Sequence, residues 1–565
     1  MYLSSADLKN FRGIRSARIE FCETTVLIGE NDSGKTTVLE AISKILAPDS
    51  NHQGILFQFH DFFMIFENGK HRPVGPLNIR LTFRERKPDE WSFIRQNDFG
   101  LTLEDVKDEL QELTLEVRAD PALEGKTAEA SWRIHQEKKQ PEGYSKEQAI
   151  LDWFRRLNPV FRIKSGLLTE MQEEDEHKDS PVDTPRAEHY DIDRNLVDKI
   201  RQAYLNLVSG NTTDRNMELQ TGYRAALQYL GKVSNAFLQE GMPLEQIIYE
   251  ILGKKHQDQS SLVKKVSLRR GSAAEKIGML IFTTAFLQSG GLMADPSAEP
   301  IIIIEDPEAH LHPMTLESVK LMIERLNWQK IITTQSGSLL ADFQLEDIRR
   351  ITRKDGYIRQ YWARPGSLSR EELRRLSYHV RKRLNNATFA RCWLLVEGES
   401  EIWLMPHIAR LCGYDLMLEG VVCVEFAQCG IAPLIKAARQ LGINWFLMAD
   451  GDAAGKSYIE SARHFAMKAG ENPEDHFLRL RERDIENHFY FNGYASVYQE
   501  YSGIPPFASQ NMQPGRIINR AIHRNSKPFM AIAIVDAIAQ AGSPGVPGPL
   551  RQVVETCVKL ASETS

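Results

Sequence analysis

The sequence predicts an α/β protein built on parallel sheets. Three observations carry that expectation: a glycine-rich turn between an apolar strand and a helix near the N-terminus, four consecutive isoleucines (Ile301–Ile304) ending in acids, and a later series of short apolar strands alternating with helices. At 565 residues the chain exceeds one hydrophobic core, so two to four domains are expected. With 42% hydrophobic and 26% charged residues it has the composition of a soluble globular protein. A formal net charge of −6 excludes a global basic field, so any nucleic-acid contact must come from local patches. The six cysteines are scattered and form no CxxC pair, which argues against a zinc ribbon and for reduced thiols. The N-terminus lacks the apolar core of a signal peptide, and no run reaches the roughly 18–20 apolar residues that span a bilayer. A cytoplasmic protein without membrane contact is expected.

In chain order, Ser4–Phe11, Ala17–Phe21 and Thr25–Ile28 read as strands. A helix follows from Thr36 to about Leu46, stopped by Pro48, and Leu77–Phe83 is again strand-like. From about 85 to 255 the sequence is charged and helix-forming, read as an insertion that packs or dimerises; an acidic, proline-containing stretch at 170–191 reads as a loop within it. Helical apolar spacing is clearest across Asp214–Gly241. Parallel-strand patterns return at Pro300–Ile304 and Lys330–Thr334. A basic connector (366–388) holds Arg370, Arg374, Arg375, Arg381, Lys382 and Arg383, which could track phosphates. Strands at Cys392–Val396, Val421–Glu425 and Trp445–Ala449 then alternate with helices at about 399–412 and 431–441. The expected domains are 1–365, carrying the insertion, and 389–565.

Gly29-Glu-Asn-Asp-Ser-Gly34-Lys35-Thr36 fits the phosphate-loop pattern G-x-x-x-x-G-K-[ST], with a buried strand before it and a helix after it. Its amides and helix N-terminus can cradle phosphates, Lys35 can reach the β- and γ-phosphates, and Thr36 can hold Mg²⁺. Such a site also needs an acid at a strand end, and Glu305-Asp306 supplies it. In the second half, Glu397 follows one strand, Glu401 lies four residues on at a helix start, and Asp450-Gly451-Asp452 ends a later strand. Parallel strands bring such carboxyl ends to one sheet edge, where clustered carboxylates require hard cations.

The segments LKNFRGI, GENDSGKTT and EDPEAHLHP resemble the SMC-like branch of ABC ATPases. That resemblance implies ATP binding by Gly29, Asn31, Ser33, Gly34, Lys35, Thr36 and Thr37, with Glu305 holding the metal's water shell and Asp306 as general base. It places a signature helix at Lys264–Lys276, contacting ATP on a second protomer, and so implies a homodimer through the ATPase domain and the insertion. Two departures stand out. The paired acids occur as Glu305 then Asp306, the reverse of the usual order, and Gln335 replaces the switch histidine. Slow ATP turnover is therefore expected.

The glutamate-then-DxD pattern resembles the Toprim domain, and VEGESE with DGDAAGKS is most similar to the OLD (overcoming-lysogenisation-defect) family of ATP-dependent nucleases. The resemblance implies that Glu397, Asp450 and Asp452 serve one Mg²⁺ or Mn²⁺ and Glu401 a second. It further implies a downstream acid within Arg483-Asp484-Ile485-Glu486-Asn487-His488, with Glu486 favoured, and a late lysine, Lys527, supporting the transition state. An ATP-regulated, two-metal DNA endonuclease, with a role in defence against phage, is the expectation. The competing readings are an ATP-driven DNA clamp or sensor without catalysis, and a topoisomerase or primase-like enzyme. His310 and His312 read as packing residues, and Glu399 as a solvated acid.

Overall fold

The computed structural model describes residues 1–46, most of 55–163, 301–309, 328–383, 386–505 and 512–563. The readings for 170–191, Asp214–Gly241, Lys264–Lys276, His310 and His312 lie outside these residues. The chain divides into two compact units: Met1–Gln335 with Ile351–Gln360, and Ser336–Arg350 with Tyr361–Ser565.

The first unit is organised by a 12-stranded sheet. Its strands run in the order Ser131–His135, Gln111–Ala119, Leu77–Arg84, Tyr2–Phe11, Ile14–Glu20, Tyr357–Tyr361, Ile348–Lys354, Thr24–Ile28, Gln329–Thr333, Ile301–Glu305 and Val160–Ile163, with Glu104–Asp105 added beside Gln111–Ala119. One end is antiparallel and half-polar. In Tyr2–Phe11 a bulge between Leu3 and Ser5 shifts the alternation, so that Leu3, Ala6 and Leu8 all enter the core. The other end is parallel: Ile301–Glu305 pairs with both Val160–Ile163 and Gln329–Thr333, and the latter pairs with Thr24–Ile28. Ile301–Ile304 are each at most 1% exposed, and burying such side chains stabilises by about 1.5–3 kcal/mol apiece. Glu305 and Asp306 are thereby fixed one strand away from the strand that feeds the phosphate loop.

The helix-forming character expected from about residue 85 is corrected where that stretch is described. Gln111–Ala119, Thr127–Glu129, Ser131–His135 and Val160–Ile163 are strands, most of them in the main sheet. Leu113, Leu115 and Val117 alternate into the core, while Glu116 accepts hydrogen bonds from Asn78, Arg80 and Arg133 on flanking strands. The charges that suggested a solvated helix are cross-strand partners, and they mask a period of two.

The second unit is built on a four-stranded parallel sheet ordered Val421–Glu425, Cys392–Val396, Asn444–Ala449, Phe477–Arg479. All five residues of Cys392–Val396 are buried, as expected of a central strand covered on both faces. Cys392, Leu394 and Val396 pack in one core with Leu404, Met405 and Ile408 of the helix Glu399–Leu411, Met530 and Ile534 of Lys527–Ala539, and Val553 and Val554 of Gly548–Glu563. Being parallel, the strands deliver Glu397 and Asp450 to the same sheet edge.

Candidate nucleotide and metal sites

The phosphate loop follows Thr24–Ile28 and opens the helix Lys35–Leu46, as the pattern requires. Gly34 has φ 97°, and a Cβ there would meet Ile358 Cδ1 at 2.6 Å, so only glycine fits the turn. Lys35 folds back on its own loop, donating to the carbonyls of Gly29 (2.7 Å) and Glu30 (3.0 Å). Burial pulls its pKa down, against the opposing pull of Asp306, Asp32 and Glu30. Ser33 Oγ is buried and has no hydrogen-bond partner. A buried lysine on carbonyl acceptors and a buried, unpartnered hydroxyl fit a loop whose donors would serve a polyphosphate. Asn31 and Thr36 are exposed and Thr37 is half-buried around the same turn.

Of the acids expected here, Glu305 is nearly buried and paired with Arg162, Nε to Oε1 at 2.5 Å. Asp306 lies in the left-handed region (φ 43°), tied to Thr333 through its amide and its carboxylate. Glu308, which no sequence motif marks, accepts from Thr334 Oγ1 (2.8 Å) and from the amide of exposed Gln335 (2.7 Å). The switch-position glutamine is thus held through its backbone by an acid that sits three residues beyond Glu305.

In the second unit the edge carboxylates come together electrostatically. Burial, then Glu401, Glu397, Asp484 and Glu486, push Asp450 up to about 8. Burial and Glu486 push Glu401 up to about 7, against hydrogen bonding from its own amide and that of Gly398. Glu397 is raised by burial and by Asp452, with Lys527 opposing. Lys527 bridges to Glu486 at 3.2 Å; burial opposes its charge, but Glu486, Glu401 and Asp484 raise its pKa overall. Glu486 and Lys527, which came only from family resemblance, stand in the same field as the motif residues. Asp484 joins them. Its cue was legible, as an acid preceding an apolar helix start, and it caps Ile485–Phe489 by accepting from the Asn487 amide at 2.8 Å. Lys456 and Glu399 are exposed, and Arg374 and Arg375 pair with Glu371 on their own helix.

Among the described residues no three such side chains converge closely enough to hold an ion as they stand. The reason is visible in their hydrogen bonds. Glu401 turns to the Gly398 amide (3.1 Å), Asp452 caps its helix through the Gly455 amide (2.7 Å), Asp484 is on Asn487, and Glu486 is on Lys527. Mutually repelling carboxylates have turned to whatever donors they can reach. Glu397 Oε2 is buried with no partner at all. An all-oxygen donor set with one orphaned, buried carboxylate oxygen fits Mg²⁺ or Mn²⁺, provided side chains rotate on a backbone already in place.

The comparisons with known proteins follow the same division. Residues 1–387 match the family model described as "Protein of unknown function (DUF2813)". The chain belongs to the DUF2813 family. Residues 388–452 match a second model, "Overcoming lysogenization defect protein-like, TOPRIM domain", which covers Glu397, Glu401, Asp450 and Asp452. This DUF2813 chain is 30% identical over 573 residues to the "Uncharacterized protein YbjD" of Escherichia coli K12, covering 99% of both. A stretch of 93 residues is 36% identical to the DNA replication and repair protein RecF of Latilactobacillus sakei, 15% of this chain and 25% of that one. Among solved structures, the SMC head domain from Thermotoga maritima aligns at 14% identity and TM-score 0.33, covering 64% of this chain and all of that one. The C-terminal region of the Burkholderia pseudomallei OLD protein aligns at 17% and 0.26, covering 31% and 100%. The fold expected from the sequence stands: mixed α/β, with a Toprim-type parallel sheet in the C-terminal part. Among the described residues no helix is long and apolar enough to cross a membrane.

Proposed function

We propose that this DUF2813 protein is an ATP-regulated, divalent-metal-dependent DNA endonuclease. The observation that carries the reading is Asp450, whose carboxyl is pushed up to about 8 by burial and by Glu401, Glu397, Asp484 and Glu486. The carboxylates of this set gather with Lys527, and their own repulsion is what a hard cation would relieve. Glu397, Asp450 and Asp452 would hold one Mg²⁺ or Mn²⁺, and Glu401 with Glu486 a second. The chemistry such ions supply is activation of water and neutralisation of a leaving oxygen. Lys527 would hold a proton and a positive charge beside the phosphodiester, a role that its raised pKa supports.

In this reading residues 1–365 form the ATP-binding part, with one further Mg²⁺ at Thr36, residues 366–388 the connector and 389–565 the nuclease part. Thr36, Lys35 and Ser33 would take the phosphates, Glu305 would exchange Arg162 for the metal's water shell, and Asp306 would act as general base. Asp306 is one methylene shorter than glutamate and Gln335 cannot carry a proton, so turnover is slow and ATP acts as a gate. A homodimer in the cytoplasm acting against foreign DNA completes the proposal; the name of the matched Toprim model, overcoming lysogenization defect, supports the last point.

The test is incubation of supercoiled plasmid with Mg²⁺ or Mn²⁺, comparing wild type with Glu397→Ala and Asp450→Ala. Metal-dependent nicking or linearisation lost in both variants is expected. Cleavage that survives both would overturn the assignment. DNA binding without cleavage by the wild type would favour the clamp reading.

A further inference from the structure

Six carboxylates, Glu397, Glu401, Asp450, Asp452, Asp484 and Glu486, gather around the proposed cleavage site, with Lys527 a cation among them. A polyanionic strand approaching that edge is repelled unless positive charge lies beside it. The chain places such charge at Arg479, Arg481 and Arg483. Phe477–Arg479 pairs in parallel with Leu447–Ala449, and the pairing continues past the strand end: the Leu480 amide donates to Ala449 O and the Gly451 amide to Glu482 O, both at 2.9 Å. Residues 479–483 are therefore clamped alongside Asp450-Gly451-Asp452, at the separation of neighbouring strands, about 4.8 Å.

The strand ends at Arg479, and residues 481–484 bend toward the helix that starts at Ile485. Leu480 is 2% exposed and enters the core, and Glu482 turns to His488 Nδ1 at 2.6 Å. Arg479, Arg481 and Arg483 are all exposed. Some surface arginines of this unit are paired, Arg410 with Asp415, Arg439 with Glu471, and Arg463 with Glu474, whereas Arg516, Arg520, Arg524 and Arg551 are exposed and form no ion pair among the described residues. Arg479 and Arg483 form no ion pair among the described residues, and Arg481 feels only its neighbour Glu482.

We propose that Arg479, Arg481 and Arg483 form the phosphate track that seats the DNA backbone beside Asp450 and Asp452. Each planar guanidinium can grip a phosphate with two parallel hydrogen bonds, and the track holds the strand in register without reading its sequence. The inference rests on the nuclease reading and adds to it the surface that binds substrate. The three arginines are positioning residues.

The experiment measures binding of the full chain to a fluorescein-labelled DNA duplex of about 30 base pairs, with Ca²⁺ replacing Mg²⁺, over a series of salt concentrations. The test variant is R479Q/R481Q/R483Q. The control, R516Q/R551Q/K559Q, removes the same charge from exposed positions elsewhere in the unit. Three lost phosphate contacts should flatten the log–log salt slope by about 2–3 and weaken binding on the order of 100-fold at 0.1 M salt. Mn²⁺ binding and thermal unfolding should be unchanged, and the triple lysine variant should recover most of the slope. Unaltered affinity and slope in the test variant, with a wild type that binds and cleaves, overturns the track and leaves the nuclease reading standing. An equal loss in the control also overturns it, because bulk charge then explains the binding. A wild type that neither binds nor cleaves DNA overturns both.

Discussion

Lys35 illustrates how one residue's chemistry shows through a glycine-rich loop. The residue is 8% exposed, and its ammonium rests on two carbonyls of its own loop. Lys35→Ala should abolish ATP binding, measured by isothermal titration with a slowly hydrolysed analogue, with little loss of thermal stability. Glu116 offers a prediction of a different kind. Burial opposes its ionisation, but hydrogen bonds from Asn78, Arg80 and Arg133 prevail and lower its carboxyl to about 2. Its folded pKa thus lies below the ordinary 4.5, so its contribution is complete above about pH 4.5 and is lost as pH falls toward 2. Glu116→Gln should cost about 1–3 kcal/mol at pH 7, leaving Arg80 and Arg133 without their counter-charge. The deficit should shrink below pH 4.5 in urea unfolding followed by near-ultraviolet circular dichroism. A deficit constant from pH 7 to pH 3 would show that shape, not charge, is what Gln fails to supply.

At the scale of elements, the motifs that announced themselves were those whose chemistry needs a fixed spacing in sequence. The phosphate loop is one turn and DxD is one strand end, so each is legible from adjacent residues. Glu308 on Gln335 and Arg162 on Glu305 join segments 27 and 143 residues apart, and nothing local marks either pair. The Gln111–Ala119 strand was misread because its charged residues satisfy partners on Leu77–Arg84 and Ser131–His135, which no single-segment pattern displays. Gly451 lies between these cases. The sequence presents it as a turn glycine, whereas the structure requires it for close approach: a Cβ there would lie 2.2 Å from Glu482 O and 2.8 Å from Leu480 O. Gly451→Ala should push residues 480–482 away from the Asp450 loop, at a cost of about 1–3 kcal/mol from overpacking. Mn²⁺ affinity, read by electron paramagnetic resonance, should fall with it. Unchanged Mn²⁺ affinity in a folded variant would mean that the arginine-bearing segment and the acid loop are not mechanically joined.

At the scale of the molecule, the chain passes between its two units three times, at residues 335–336, 350–351 and 360–361. Sequence composition suggests a simple boundary in the basic connector, because Arg370–Arg383 looks like a solvated link. The second unit nevertheless includes Ser336–Arg350, far upstream of that link. Arg350 shows why the segment belongs there. It is 3% exposed and donates from Nη1 to the carbonyls of Leu441 (3.1 Å) and Gly442 (2.8 Å), and from Nη2 to Ala390 (3.2 Å). These carbonyls flank the strands Cys392–Val396 and Asn444–Ala449, which carry Glu397 and Asp450, and losing the guanidinium would leave buried acceptors unsatisfied. Arg350→Ala should therefore lower the stability of the second unit by about 1–3 kcal/mol, the range for leaving buried acceptors unsatisfied. A fragment of residues 361–565 should be destabilised in the same way, and supplying 336–350 as a separate peptide should restore part of its melting temperature. If the fragment melts as the full chain's second unit does, with or without the peptide, then Ser336–Arg350 is a passing connection rather than a structural part of the unit that carries the carboxylates.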